Sequence, residues 1–467
     1  MAIHLLDLLS PAEPILYKAI FDDLGPVDTI RLLSTCKALQ QFKGILWSIN
    51  RSLTRFVDKP IAFRSLMARH DAVVSGSHAL QFLERIQWAA SDLDVYIHTI
   101  EGLLAFARHL VEDEGYSFSP YSWQSADATA AIVAGNVEAS RHVNNMLESL
   151  GERDNDPEEA LDEAVTYSLR EISAVFNFVH IKIPARRIQL IAPRTTTLTA
   201  IMGDYYATHI FNFFTWDRAY SLFPYHTFQR RRAFYTNALT RKSVAAVNKY
   251  IDRGYSFQEY GEFHECVRNC PLRPHRCIGD KYTWVVPLDT EGVDAASVAA
   301  AAPHSLMETS SWGMRMHISW WNREDQRRMF RGLPFIQLQY EIDISPVFRY
   351  PRLYSRRTET LYSFLVHMKR TADDGRTFRF KFDGSKERDW SGAVESARLD
   401  DQFESWYRFW EAAVLPYENI WIWQYPMLDG KPEITIRGQP HEEVEDLENE
   451  DLNNKDLENE DIVVAQG

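Results

Sequence analysis

Apolar and polar positions change period several times along the early part of the chain, and each change marks an element. Pro14–Phe21 and Val27–Leu39 carry apolar residues at helical spacing, Leu24-Gly25-Pro26 breaks the run between them, and Trp47 closes it. Val73-Val74 then leads into Ser75-Gly76-Ser77, and His78–Arg85 returns to helical spacing. Ser91-Asp92-Leu93-Asp94-Val95-Tyr96-Ile97 alternates acid and apolar residues, as a half-buried strand does. Phe178–Ile183 and Arg187–Ile191 predict a strand pair. Further on, 313–321, 334–344, 377–382 and 420–423 read as strands and 401–413 as a helix.

The stretches between these patterns divide the chain. Residues 148–163 form an acidic insertion, and Leu288–Ser311 is a connector rich in small residues. In the tail, Asp446-Leu-Glu-Asn-Glu-Asp-Leu returns ten residues later as Asp456-Leu-Glu-Asn-Glu-Asp-Ile. Acidic sequence without aromatics buries too little apolar surface to offset the entropy of ordering, so 441–467 is expected to be a disordered acidic tail. The expected divisions are 1–60, 61–285, 286–311, 312–440 and 441–467, in an α+β architecture with a β-rich C-terminal region.

Length supports this division, because 467 residues exceed what one core organises. The formal charge of −14 changes meaning once the tail is set apart: His441–Gly467 carries eleven acids and one lysine, which leaves the rest at −4. A nearly neutral body points to no membrane partner and gives no general reason to expect nucleic acid. No apolar window is long enough to span a bilayer, and the start MAIHLLDLLSPAEP lacks the basic opening of a signal peptide. The expectation is a cytoplasmic or nuclear chain.

Candidate chemistry gathers where the strand-like and helix-like periods meet. Metal-dependent nucleotidyl transfer needs at least two carboxylates projecting from one rigid face, and alternation puts Asp92 and Asp94 on one face of a strand while Leu93 and Val95 enter the core. It also needs backbone that can approach phosphates. Gly76 supplies that between strand and helix, with the Ser77 hydroxyl as a further donor. The alternative reading is a strand-helix-strand unit with two solvated acids.

This arrangement, apolar-Gly-Ser followed after fourteen residues by Asp-apolar-Asp-apolar, resembles the signature of the nucleotidyltransferase superfamily, the polymerase-β-like fold, over about Arg64–Asn212. The resemblance implies a mixed sheet with helices, Mg²⁺ at Asp92 and Asp94, and a nucleoside triphosphate at Gly76 and Ser77. It also implies a third acid on a later strand, where this chain has Gln189. A neutral amide does not replace a carboxylate toward a second ion or a nucleophile. The expectation is a non-catalytic nucleotide-binding or adaptor protein; the alternative is an active transferase on a small molecule, protein or RNA, with Asp204 the first candidate for the missing acid.

Two further resemblances bear on function. Leu9–Asn50 is similar to the F-box, a helical module that binds the adaptor subunit of cullin-type ubiquitin ligases, with Cys36-Lys37 and Trp47 in family order and Leu9-Ser10-Pro11 in place of the usual Leu-Pro opening. That resemblance implies a substrate-recruiting subunit; a helical cap packed on the next domain is the other reading. The run Asp204–Pro224 with Thr227-Phe228, together with the Ser-Gly-Ser and Ser-Asp-Leu-Asp motifs, resembles a set of fungal proteins often labelled F-box-like.

Two clusters remain. His264, Cys266, Cys270, His275 and Cys277 offer five ligands of the kind Zn²⁺ takes, within fourteen residues, yet without a Cys-x₂-Cys knuckle; buried thiols in a proline-punctuated loop are the other reading. Arg230, Arg231, Arg232, Arg241, Lys242 and Lys249 make a basic concentration. It reads as a solvated face pairing with the chain's own acids, the alternative being a groove for phosphate or nucleic acid.

Overall fold

In the computed structural model of the chain, the described residues are 20–40, 42–89, 91–135, 171–237, 239, 241–258, 275–294, 310–317, 335–343, 352–354, 379–382, 417–426 and 432–440. The acidic insertion 148–163, the helix expected at 401–413 and the tail 441–467 lie outside them. The chain divides into two compact units, one of Met1–Ala302 with Gly313–Gln339, the other of Pro303–Trp312 with Tyr340–Gly467. Both helices and a mixed multi-stranded sheet are present, so the chain is α+β.

From Pro26 onward the first unit carries short helices: α1 (Pro26–Ser34), α2 (Lys37–Gln40), α3 (Lys43–Leu46), α4 (Ile49–Leu53) and α5 (Pro60–Arg69). Pro26 and Pro60 stand in first turns, where a missing N–H costs nothing. Strand β1 (Val73–Ser75) runs into helix α6 (Gly76–Glu84), which ends at Arg85 in the left-handed region, φ 59°. Strand β2 (Leu93–Tyr96) and helix α7 (Ile100–Glu112) follow, the helix capped by Thr99, whose hydroxyl accepts from the Gly102 N–H. Next come β3 (Tyr116–Phe118), helix α8 (Ala128–Ala134), β4 (Ile172–His180), β5 (Arg187–Pro193) and helix α9 (Thr197–Asp204). Further on come strands β6 (Asn212–Phe214), β7 (Arg218–Ser221) and β8 (Arg232–Phe234), helix α10 (Arg241–Ile251), and strands β9 (Ser256–Gln258), β10 (His275–Cys277) and β11 (Trp284–Pro287).

Eight of these strands form one sheet, in the order β11-β7-β6-β1-β2-β5-β4-β3. All neighbouring pairs given a register are antiparallel except β2 with β5, which is parallel. Strand β2 is therefore central. Leu93, Val95, Ile188 and Leu190 are fully buried, as expected where helices cover the sheet, and each such side chain contributes about 1.5–3 kcal/mol. The strand pair expected at 178–191 is present and longer, because β4 begins at Ile172 and alternates buried with half-buried positions throughout.

Residues 286–294, expected to open a linker, continue the sheet unit. Val286 and Pro287 finish β11, and Leu288 is buried. The buried Arg64 guanidinium donates to the carbonyls of Trp216 and Asp289 and, at 2.8 Å, to Asn50 Oδ1. One cation thus joins α4, the β6–β7 turn and the segment after β11. Burial lowers its pKa to about 10, and its carbonyl partners explain how the charge is tolerated.

The N-terminal helices pack on the sheet domain. The Trp47 indole N–H donates to the Leu83 carbonyl at 3.1 Å, and its ring meets Trp284 edge-on at 5.4 Å. Arg85, turned by its left-handed backbone, donates to the Leu24 carbonyl and to Thr29 Oγ1. Pro26 and Leu33 are buried, while Leu24, Ile30 and Leu32 keep partial exposure.

Strands β12 (Ser311–His317) and β13 (Phe335–Gln339) pair antiparallel from Gly313 to His317. In the second unit, β14 (Glu341–Asp343) pairs with β15 (Arg352–Tyr354). Strand β18 (Pro432–Pro440) lies between β16 (Arg379–Phe382), parallel to it, and β17 (Tyr417–Pro426), antiparallel. These are the strands expected near 313–321, 334–344, 377–382 and 420–423, with β15 and β18 added.

Candidate functional site

The site is built where β1, α6, β2 and β5 meet. Asp94 on β2 is the register partner of Ser75 on β1 and of Gln189 on β5, so a serine and an amide flank it across the sheet. Beyond Gln189 the row continues to Asn177 on β4, and the Gln189 amide donates to Asn177 Oδ1 at 2.9 Å. The position where the family resemblance implies a third acid is thus occupied by an amide bonded to another amide.

Gly76 begins α6 with φ +73°, a conformation that side-chain-bearing residues rarely adopt. Its α-carbon packs against Asp94: a Cβ built there would overlap Oδ2 and come within 3.2 Å of Cγ. The strand-to-helix turn and the second acid are therefore in direct contact. Ser77, one residue further, has its hydroxyl 3.3 Å from Ser91 Oγ, beside Asp92. Gln81 reinforces that edge, its amide donating to the Ser77 carbonyl at 3.1 Å and to Ser91 Oγ at 2.8 Å.

Electrostatics single out Asp94. Burial, with Asp92 adding like-charge repulsion, pushes its carboxyl up to about 7, against an opposing pull from Lys249. On the β1 side a hydrogen-bond chain runs from the Tyr96 hydroxyl to the Tyr205 hydroxyl at 3.1 Å, from Tyr205 to Ser75 Oγ at 3.1 Å, and from Ser75 to the Asn212 carbonyl at 2.8 Å. Burial raises both tyrosine pKa values, so the chain is neutral and fixed.

The structure brings together Gly76, Ser77, Asp92, Asp94 and Gln189. Asp92 directly precedes β2 instead of lying within it. Asp204 ends α9, and its carboxylate accepts from the Glu171 N–H at 3.1 Å. Of the cysteine and histidine cluster, His264, Cys266 and Cys270 lie outside the described residues, as does the side chain of His275. Cys277 is buried at 2% exposure on β10. Among the described residues, no group of three or more His, Cys, Asp or Glu side chains is gathered as a metal site. Within the basic run, Arg231 forms an ion pair with the buried Glu84, which also accepts from the Tyr255 hydroxyl at 3.2 Å.

Ser75, Asn177, Tyr205 and Lys249 were missed as site residues. Ser75 stood in the sequence beside Gly76, on a three-residue strand buried at every position; Tyr205 and Lys249 are more than a hundred residues from Asp94 and gave no local signal.

Comparison with known proteins returns no matching family model, no matching curated protein and no matching solved structure. Among the described residues, no helix is long and apolar enough to cross a membrane.

Proposed function

We propose that this chain is a nucleotidyltransferase-like protein that binds a divalent ion together with a nucleoside triphosphate at Asp92 and Asp94, does not turn the nucleotide over, and serves as a binding or adaptor subunit. The observation that supports it most is the row Ser75–Asp94–Gln189, with the Gly76 turn against the Asp94 carboxylate. Two acids on one edge suit a single hard cation whose remaining positions go to phosphate oxygens and water. Gln189 stands where a third carboxylate would activate a nucleophile, and a neutral amide cannot take that role.

The test is thermal unfolding of the full chain with Mg²⁺, ATP and both, alongside transfer from labelled ATP. Expected is stabilisation by the two together, its loss in Asp92→Asn and Asp94→Asn, and no transfer. Stabilisation that survives both substitutions overturns the reading. Transfer that both substitutions abolish replaces it with the active transferase.

The adaptor part of the reading draws on the partial exposure of Ile30 and Leu32 on α1. Capture of the ubiquitin-ligase adaptor is expected from the full chain and not from an Ile30→Glu, Leu32→Glu double variant. Undiminished capture by that variant removes this part. Pro26, being buried, is unsuitable for the experiment.

A further inference from the structure

The loop that leads from α6 into β2 is held by one buried amide. Gln81, on α6 and 1% exposed, uses both ends of its side chain. Its Oε1 accepts from the Trp88 backbone N–H at 2.7 Å and from the Arg55 guanidinium at 3.3 Å, and Arg55 also donates to the Trp88 carbonyl at 3.1 Å. Two donors on Oε1 fix which way the amide faces, so Nε2 is the atom turned toward the two serines. There it donates to the Ser77 carbonyl at 3.1 Å and to Ser91 Oγ at 2.8 Å. The Arg253 guanidinium, 3.5 Å from the centre of the Trp88 ring, pins the same loop.

This makes the role of the Ser91 hydroxyl definite. Its oxygen accepts a well-formed bond from Gln81, so its hydrogen must go elsewhere, and the acceptors within reach are Ser77 Oγ at 3.3 Å and the Asp92 carbonyl at 3.4 Å. Both are long beside the roughly 2.7–2.8 Å usual for a hydroxyl donor. Ser77 Oγ shares the longer serine contact, and both side chains are half-buried at the edge of the site. Among the described residues, then, the hydroxyl hydrogen of Ser91 has no close acceptor although it stands beside Asp92. A phosphate oxygen supplies one at a better distance, and when it arrives with a divalent ion the two acids do not repel it.

We propose that Ser91 and Ser77 together bind one phosphate group of the metal–nucleotide complex, and that Gln81 is the positioning residue that aims the Ser91 hydroxyl at it. This rests on the reading that Asp92 and Asp94 take that complex, and it gives the phosphate a side-chain donor outside the Gly-Ser turn. Gln81 touches no ligand and acts through Ser91. Gln81→Glu reverses the arrangement: the carboxylate accepts the Ser91 hydrogen, and the hydroxyl turns away from the phosphate.

Isothermal titration of the full chain with Mg²⁺–ATP and with Mg²⁺–tripolyphosphate, alongside thermal unfolding, tests this. Ser91→Ala is expected to weaken both ligands about tenfold, the order of one hydrogen bond to a charged oxygen, at an unchanged unfolding temperature. Ser91→Thr, which keeps the hydroxyl, should recover most of the loss. Gln81→Glu should also weaken both ligands about tenfold, yet add nothing in the Ser91→Ala background, a result that a general charge effect or a loosened loop does not reproduce. Gln81→Met gives the same comparison without a charge. Unchanged affinity in Ser91→Ala overturns the proposal, as do losses from Gln81 and Ser91 that multiply. A loss seen with ATP and not with tripolyphosphate places Ser91 against the sugar or base and overturns it too. In each of these cases binding still requires Asp94, and the nucleotide reading stands. Mg²⁺–ATP binding that is absent from the unchanged chain, or that survives Asp94→Asn, brings down that reading and the role of Ser91 with it.

Discussion

The α-carbon of Gly76 and the carboxylate of Asp94 are in contact, with no room between them for a methyl group. Gly76→Ala therefore meets two penalties: a left-handed backbone angle that alanine resists, and a Cβ in the space of Oδ2. The expected cost is about 2–4 kcal/mol, with loss of any Mg²⁺–ATP stabilisation, because Asp94 must move for the variant to fold. Urea unfolding with and without Mg²⁺–ATP checks this. A variant that keeps both properties would show that Asp94 has another rotamer of equal value.

Asp94 gives a pH dependence of definite sign. Its carboxyl is raised from an ordinary value of 3.8 to about 7, so the folded chain holds this proton more tightly than the unfolded chain. Stability contributed by the protonated group is complete below pH 3.8 and is lost as pH rises toward 7. Asp94→Asn should remove this loss and be the more stable protein at pH 8 without metal, by about 1–3 kcal/mol once solvent screening of a partly exposed group is allowed for. Chemical denaturation across pH 5 to 8 measures it.

Three buried histidines pull the other way. Burial holds His78 and His209 at about 3 and His226 at about 4, so each folds neutral. Their contribution is present above the ordinary value of 6.5 and is lost as pH falls below it. His209 sits among Tyr206, Tyr250, Tyr255 and Phe257, and among the described residues neither of its ring nitrogens has a hydrogen-bond partner. His209→Phe should stabilise the chain by about 1–3 kcal/mol, more at pH 5.5 than at pH 8, in denaturant titrations at the two values.

Gln189→Glu places a carboxylate beside Asp94 in the parallel register and leaves Asn177 opposite, free to turn its amide N–H toward it. Without metal the variant should lose about 1–2 kcal/mol through like-charge repulsion. With Mn²⁺ the order should reverse, and its affinity for the ion should exceed that of the unchanged chain. Isothermal titration with Mn²⁺ shows whether it does.

Trp47 joins the N-terminal helices to the sheet domain through its bond to Leu83 and its contact with Trp284. Trp47→Ala is expected to lower stability by about 3–5 kcal/mol, read from the urea midpoint. For the same reason, deletion of residues 1–50 uncovers the end of α6 and part of the sheet, so loss of binding in such a truncation reports on folding as well as on docking.

The local elements near the site are legible in the residue pattern. Ser75-Gly76-Ser77 marks a strand-to-helix turn because glycine takes φ +73° without the strain a side chain brings, and Leu93-Asp94-Val95-Tyr96 marks a strand because alternate side chains face opposite sides. The pattern also placed Gln189 on the strand that would carry the third acid. What these elements touch follows from the packing of distant segments. Periodicity carries no pairing partner, so the parallel register that seats Asp94 beside Gln189, and the antiparallel one that seats it beside Ser75, come from the packing of the whole sheet. The small-residue composition of Leu288–Ser311 reads as a connector in the sequence, while the bond that holds Asp289 comes from Arg64, far away in sequence. Lys249 read as one charge on a solvated helix face; that its charge bears on Asp92 and Asp94 depends on Tyr250 and Arg253 fitting against Trp88, a contact between side chains about 160 residues apart in a chain whose local pattern holds no record of it.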